Sequence, residues 1–368
     1  MRIIYWVEQY WPVIGGVQIL GRNLIGALRD RGHEFIVVTS QGEQIRPAEE
    51  EIEGVRIYRF PFYQTVAEND LDGIARVKEQ VVRLKRTFDP HLIHLAEIGV
   101  NAAFHSLTAA AHPAPLIVTL QQYLTGDVGG PQTFLDRVLG AADWVVACSR
   151  SILSRVWEIA PDVRKKSSVI YNGVIEPDIA ATPLPWDPPR LLCLGRLVNE
   201  KGFDVAIRAF AGLVEEFPAL RLIIAGDGPE RDGLQKLAAG LGIAARVEFK
   251  GFIHPEKVPM VLNSATAFVM PSRREAFGMA AAEAAMMRRP VLASHVGGLP
   301  EVVSHGETGL LAPVDDVNGF REAMADLLKN PQKAEQMGRE GRRFVRQRFE
   351  WERHVVKSYE DLYRNLGG

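Results

Sequence analysis

Cysteine is scarce: the chain has two in 368 residues, Cys148 and Cys193. Both sit inside apolar runs, 144–148 and 191–194. A lone pair so placed excludes a disulfide framework and a thiolate metal site, and it reads as two small buried hydrophobes in a reducing, cytosolic setting. Long apolar runs are missing too. No stretch of about 18 uncharged apolar residues occurs, which excludes a membrane-spanning helix. The opening residues, Met1 to Glu8, lack the length and the small-residue cleavage pattern of a signal peptide and read as a short strand. Charge of one sign is not in excess: 43 Lys+Arg stand against 45 Asp+Glu, a net of −2. No global field therefore favours nucleic acid or another polyanion. No His/Cys/Asp cluster has metal-ligand spacing. His91 and His94 fall on opposite faces of a strand-like run, and Asp70-Leu71-Asp72 lies in a polar turn rather than after a strand. Gly226-Asp227-Gly228-Pro229 has Arg231 where a dinucleotide fingerprint needs a third glycine, which counts against a nicotinamide enzyme. Nucleophile-elbow and phosphate-loop motifs are absent.

What remains is ordinary globular composition, 47% hydrophobic and 24% charged, on a length that suits two domains. Short apolar runs alternate with amphipathic stretches. In the first half the strand-like runs are 2–7, 34–39, 55–60, 91–96, 115–120, 143–148 and 167–171, with helix-like segments at 17–31, 73–88 and 151–159. The second half restarts the rhythm with runs 191–194, 221–225, 246–249, 267–270, 291–293 and 309–311, and helices at 204–216, 231–241, 277–288 and 317–328. Repeated βα units predict an α/β protein of two Rossmann-like, doubly wound parallel-sheet domains facing across a cleft. Five prolines in the thirteen residues 177–189 predict an extended linker between domains 1–176 and 190–349. Residues 350–368 predict a terminal helix with Trp351, Val355, Tyr359 and Leu362 on one face.

Two glutamates carry the strongest functional signal. Glu275 follows the apolar run 267–270, and Glu283 lies eight positions on, in the small-residue stretch beginning Ala276-Phe277-Gly278-Met279-Ala280. The spacing places one carboxylate in a loop before a helix and the other on its flank, with the helix-start N–H groups between them, suited to an anion. Two surface glutamates beside an Ala-rich helix would look the same. Gly15-Gly16 opens the first long helix, where a backbone can approach a phosphate, and a plain tight turn is the other reading. Arg196 and Lys201 flank a strand end beside Gly195 and Gly202, placed to meet a diphosphate.

Together these residues resemble the retaining glycosyltransferases of family 4, which have the GT-B fold. The resemblance is carried by Gly15-Gly16-Val17, by Leu28 to Glu34 and by Tyr171-Asn172-Gly173-Val174. It continues through Leu194 to Gly202, Ala225 to Pro229, the Glu275/Glu283 pair, Gly297 to Val303 and Gly306 to Leu311. It implies that Glu275 grips donor-sugar hydroxyls and Glu283 the ribose. Arg196 and Lys201 would neutralise the leaving diphosphate in place of a metal ion, making Glu275, Arg196 and Lys201 the catalytic set. Gly15, Gly16, Gln121, Gly226, Gly228, Phe252, Phe277, Gly278, Met279 and Ala280 complete the donor site. Gln121 stands where many members have a histidine, and it cannot carry a proton at neutral pH.

The implied activity is retaining, metal- and cofactor-independent transfer of a sugar from a UDP- or GDP-linked donor to a hydroxyl of a glycan, a lipid-linked or a small-molecule acceptor. A UDP-sugar 2-epimerase of the same fold and a non-catalytic nucleotide-sugar-binding protein are the alternatives. The implied location is cytoplasmic, with room for peripheral contact at the inner face of a membrane. The sequence leaves the acceptor and the oligomeric state open. The resemblance also implies that the last helix crosses back to the N-terminal domain.

Overall fold

The computed structural model describes residues 1–42, 46–123 and 133–368. They form two compact units. The first is Met1–Asn172 together with Glu352–Gly368, and the second is Gly173–Trp351.

The first unit is built on an eight-stranded sheet of order β3-β4-β2-β1-β5-β6-β7-β8. Its strands are β1 (Arg2–Trp6), β2 (Glu34–Ser40), β3 (Glu49–Ile52), β4 (Val55–Phe60), β5 (Leu92–Leu95), β6 (Leu116–Leu120), β7 (Trp144–Ala147) and β8 (Ser167–Val169). All pairings are parallel except β3 with β4. The central strands are apolar at nearly every position because helices cover both faces. Ile3, Ile4, Val37, Val38, Ile117 and Val118 are all essentially inaccessible. The second unit holds a six-stranded, all-parallel sheet of order β11-β10-β9-β12-β13-β14. These strands are β9 (Arg190–Leu194), β10 (Arg221–Ala225), β11 (Val247–Gly251), β12 (Ala267–Met270), β13 (Val291–Ser294) and β14 (Gly309–Ala312). Cys148 and Cys193 are buried thiols, and burial pushes the Cys193 thiol up.

Three features differ from expectation. The proline-rich segment is not a free linker but a strap on the second unit. Asn263 Nδ2 donates to Ala180 O at 2.9 Å, and Thr182 N donates to Asn263 Oδ1 at 3.1 Å. The fully buried Arg289 donates to Ala265 O at 2.8 Å and also to Thr182 O, while Leu184 enters the core. Proline removes donors yet leaves carbonyls: Thr266 Oγ1 donates to Pro185 O, while Asn263 and Arg289 take the carbonyls of Ala180 and Thr182 beside the prolines. The second difference is a helix over Pro331–Phe349 that the sequence rhythm did not reveal. The third is the terminal segment. It begins as a π-helical stretch, Trp351–Val356, and becomes α-helical over Lys357–Gly367. Asp70, read in the sequence as part of a polar turn, caps the helix Leu71–Phe88 by accepting from Gly73 N at 2.9 Å.

Candidate active site

In an open parallel sheet the ligand crevice lies beyond the carboxyl ends of the strands, where the strand order reverses. In the second unit that point is between β9 and β12. Arg196 follows β9 and is exposed. Lys201 ends the 3₁₀ turn Asn199–Lys201. Glu275 lies in the loop after β12. The structure brings the last two together: Lys201 Nζ stands 2.6 Å from Glu275 Oε2, with the side chains 27% and 13% exposed. A cation and a carboxylate held in contact at the strand ends can serve two needs at once. The carboxylate accepts from hydroxyls and the ammonium meets phosphate oxygens.

The helix after this loop starts at Met279, two residues later than its sequence pattern predicts, and runs to Met286. Gly278, its N-cap, has φ of +108°, a backbone that side chains rarely adopt, and this delays the helix. Its first-turn N–H groups, Met279 and Ala280 among them, have no acceptor within the helix, an arrangement suited to an anion. Phe277 is a core residue, 1% exposed and edge-on to Phe349 at 5.1 Å. Only its backbone is available to a ligand. Glu283 sits just over one turn into the helix, and burial pushes its carboxyl up to about 7. The loop is fixed from behind: Gly298 N donates to Glu275 O at 3.1 Å. Gly297, at φ +56°, approaches so closely that a Cβ would stand 1.8 Å from that same carbonyl.

The turn Gly226–Gly228 after β10 has a packing reason of its own. A Cβ at Gly226 would lie 1.8 Å from Gly195 O, and Leu197 N donates to Asp227 O at 2.8 Å. The turn therefore buttresses the loop that displays Arg196. Phe252 follows β11 and is 58% exposed, an aromatic face open at the same edge of the sheet.

In the first unit the strand order reverses between β1 and β5. Gly15 and Gly16 lie at the start of the helix Gly16–Arg29, and nothing stands within 4 Å of where a Gly16 Cβ would be. Gln121 follows β6, and its buried amide oxygen has no hydrogen-bond partner among the described residues. Two carboxylates that sequence reasoning missed flank the reversal. Glu8, after β1, accepts from Ser40 Oγ at 2.8 Å and from Asn101 N at 3.2 Å. Glu97, after β5, accepts from Gln122 Nε2 at 2.8 Å and from Glu8 N at 3.3 Å. Burial raises the Glu97 carboxyl, opposed by the Gln122 hydrogen bond. The available signal was their position just past an apolar run. His94, by contrast, is core: it lies against Tyr363 Oη and Thr119 Oγ1, and burial lowers it to about 3. Among the described residues there is no cluster of three His, Cys, Asp or Glu able to hold a metal ion. Nor is any described helix long and apolar enough to cross a membrane.

Comparison with known proteins shows the family and agrees with the fold. Residues 174–344 match the family described as glycosyl transferases group 1, and residues 14–176 match glycosyltransferase family 4. The chain is 37% identical over 365 residues to a GDP-mannose-dependent alpha-(1-6)-phosphatidylinositol monomannoside mannosyltransferase of Mycolicibacterium smegmatis, covering 92% of each. It is 29% identical to a glycogen synthase of Mycobacterium tuberculosis, over 96% of this chain and 92% of that one. In fold it is similar to a sucrose-phosphate synthase from Thermosynechococcus elongatus, with a TM-score of 0.83 at 24% identity over 100% of this chain and 99% of that one. Two α/β units, the family matches to both halves and a relative this similar along nearly the whole length place the chain in the family 4 glycosyltransferases of GT-B fold, enzymes that use nucleotide-sugar donors.

Proposed function

We propose that this chain is a retaining, metal-independent hexosyltransferase acting on a UDP- or GDP-linked sugar. The observation that carries the reading is the Lys201–Glu275 contact at the β9/β12 strand ends. Glu275 accepts hydrogen bonds from donor-sugar hydroxyls. Lys201 and Arg196 stabilise the charge that develops on the diphosphate as the glycosidic bond breaks, the task a divalent ion performs elsewhere. The helix N-terminus at Met279 adds backbone donors, and Glu283 accepts from the ribose hydroxyls. The acceptor is a hydroxyl of a glycan, a lipid-linked sugar or a small molecule, taken by the first unit. The 37%-identical mannosyltransferase makes GDP-mannose the first donor to try and a lipid-linked acceptor the first acceptor class.

A donor panel of GDP-mannose, UDP-glucose and UDP-N-acetylglucosamine, read by nucleotide release, tests this. Release is expected to persist in excess EDTA, because two cations take the leaving group. The product's anomeric configuration, read by NMR, is expected to match the donor's. Loss of turnover in EDTA, restored by magnesium or manganese, would sink metal independence. An inverted anomer would sink retention.

Glu283 predicts a pH dependence. Its carboxyl is protonated below about 7 in the free protein. A carboxylate accepts from both ribose hydroxyls, whereas the acid offers fewer acceptor sites. Ligand thus favours the ionised form, and affinity should rise with pH up to about 7, by at most about tenfold per pH unit. Stability of the free protein runs the other way. A raised carboxyl contributes most below its unfolded value, and that contribution is lost as pH rises through about 7. A nucleotide sugar is the right probe, since its doubly esterified diphosphate does not titrate near neutrality. Calorimetry across this range should show the slope in the native chain and a flat line in Glu283→Gln. A flat line in both refutes the role.

A further inference from the structure

The loop that carries Glu275 has no regular structure from Pro271 to Gly278. A carboxylate that must meet particular sugar hydroxyls has to be held to within about 0.5 Å. Backbone contacts from Gly298 hold the far side of this loop. On the near side the holding group is Arg273, two residues before Glu275.

The Arg273 guanidinium spans three segments. Nη1 and Nη2 donate to the two carboxylate oxygens of Asp204 at 2.9 and 2.8 Å. Nη1 also donates to Asn199 O at 2.8 Å, and Nε donates to Asp315 Oδ1 at 2.7 Å. Its backbone joins in: Arg273 N donates to Glu200 O at 2.8 Å. Asp204 lies in the first turn of the helix Phe203–Ala211, where a carboxylate is favoured by the helix dipole. Asn199, Glu200 and Asp204 bracket Lys201. Asp315 precedes the helix Val317–Lys329 and sits at φ +60°, a conformation a non-glycine residue keeps only when its surroundings hold it. The Arg273 side chain is 22% exposed.

We propose that Arg273 is a positioning residue. Without touching the donor, it fixes the Glu275 loop against the turn that carries Lys201, and so sets the distance between the sugar-binding carboxylate and the phosphate-binding ammonium. The proposal rests on the roles given above to Glu275 and Lys201. An exposed ion pair adds little to stability, but a planar fork with four directed hydrogen bonds restricts a loop in a way that no single point charge does. Lysine has the charge without the fork. Glutamine has neither, and it leaves Asp204 and Asp315 unpaired.

The test is steady-state turnover of the donor that the native chain uses in the GDP-mannose, UDP-glucose and UDP-N-acetylglucosamine panel, together with calorimetric affinity for the bare nucleotide. Arg273→Gln is expected to lower kcat about 10- to 100-fold, the scale of an ångström-level misplacement, with nucleotide affinity unchanged. Arg273→Lys should recover only part of the loss. In a Glu275→Ala background, Arg273→Gln should cost nothing further, because a residue acting through Glu275 has nothing left to position. Native kcat in Arg273→Gln overturns the proposal. So does a parallel loss of nucleotide affinity, or an equal loss of kcat in both backgrounds. Should Arg273→Gln fail to fold, Asp204→Asn, which weakens the fork at constant size, is read by the same criteria. Native turnover in Glu275→Ala alone is a different failure, that of the site reading itself.

Discussion

Glu275→Ala is expected to lose between about 10- and 150-fold in turnover while keeping its fold. A hydrogen bond to a charged group contributes about 1.5–3 kcal/mol. Felt fully in the transition state, that span converts to the fold-change given. A second effect offsets part of it. Lys201, 27% exposed and in contact with Glu275, loses its counter-charge and becomes free to follow the diphosphate instead of being shared. Glu275→Gln separates the two contributions, since it keeps a hydroxyl acceptor and removes the charge. The fold should survive both changes, because the loop is held by backbone contacts at Gly297 and Gly298 and by the Arg273 fork rather than by the Glu275 side chain. Kinetics alongside circular dichroism and thermal melting would check this. Native kcat in Glu275→Ala would remove this carboxylate from the active site.

The placement of Glu275 was legible in sequence because the segments around it follow strands that read clearly. An apolar run, a short loop and a small-residue helix put Glu275 and Glu283 on one edge without reference to distant residues. Arg196 and Lys201 were legible for the same reason, as cations just past β9. The helix start was misplaced by two residues because Gly278 needs a positive φ, which no periodicity records. Arg273 was hidden for another reason. Its partners Asp204 and Asp315 lie 69 and 42 residues away, and only the sheet order brings them together. Glu8 and Glu97, 89 positions apart, were lost in the same way.

The missed helix Pro331–Phe349 illustrates a different limit. Its buried face is Ala334, Met337, Gly338, Gly341, Val345 and Phe349, so two of the six inward positions are glycines. A glycine looks like a breaker until its neighbour is seen. At Gly338 a Cβ would stand 2.1 Å from Arg288 O, so close packing requires it. The edge strand β3 was missed because it is Glu-Glu-Glu-Ile, a charge pattern that protects an exposed edge rather than filling a core.

Removing residues 352–368 is expected to unfold the first unit, although the body of that unit ends at Asn172. The segment supplies core. Tyr363 is fully buried and its hydroxyl lies 2.5 Å from His94 Nδ1. Tyr359 is 4% exposed and stacks on His94 at 5.4 Å between ring centroids. Val355 and Val356 are buried with them. Glu360 accepts from Arg31 Nη1 at 2.7 Å. His94 lies mid-strand in β5, is held neutral by burial, and has Thr119 on its other nitrogen at 2.7 Å. Without the segment this polar ring would face water on a surface built for a core. Truncating one large buried aromatic to alanine costs about 3–5 kcal/mol, against a total of about 5–15 kcal/mol for a whole domain. Losing Tyr359 and Tyr363 together therefore approaches or exceeds what holds the unit. Single changes grade the effect. Tyr363→Ala should lower the melting temperature by about 6–20 °C, at about 2–4 °C per kcal/mol for a domain of this size. Tyr363→Phe should cost about 1–3 kcal/mol, because it leaves His94 Nδ1 buried without its partner. A chain ending at Trp351 that melts like the full chain, and binds no more of an apolar dye, would show that the first unit stands without this helix.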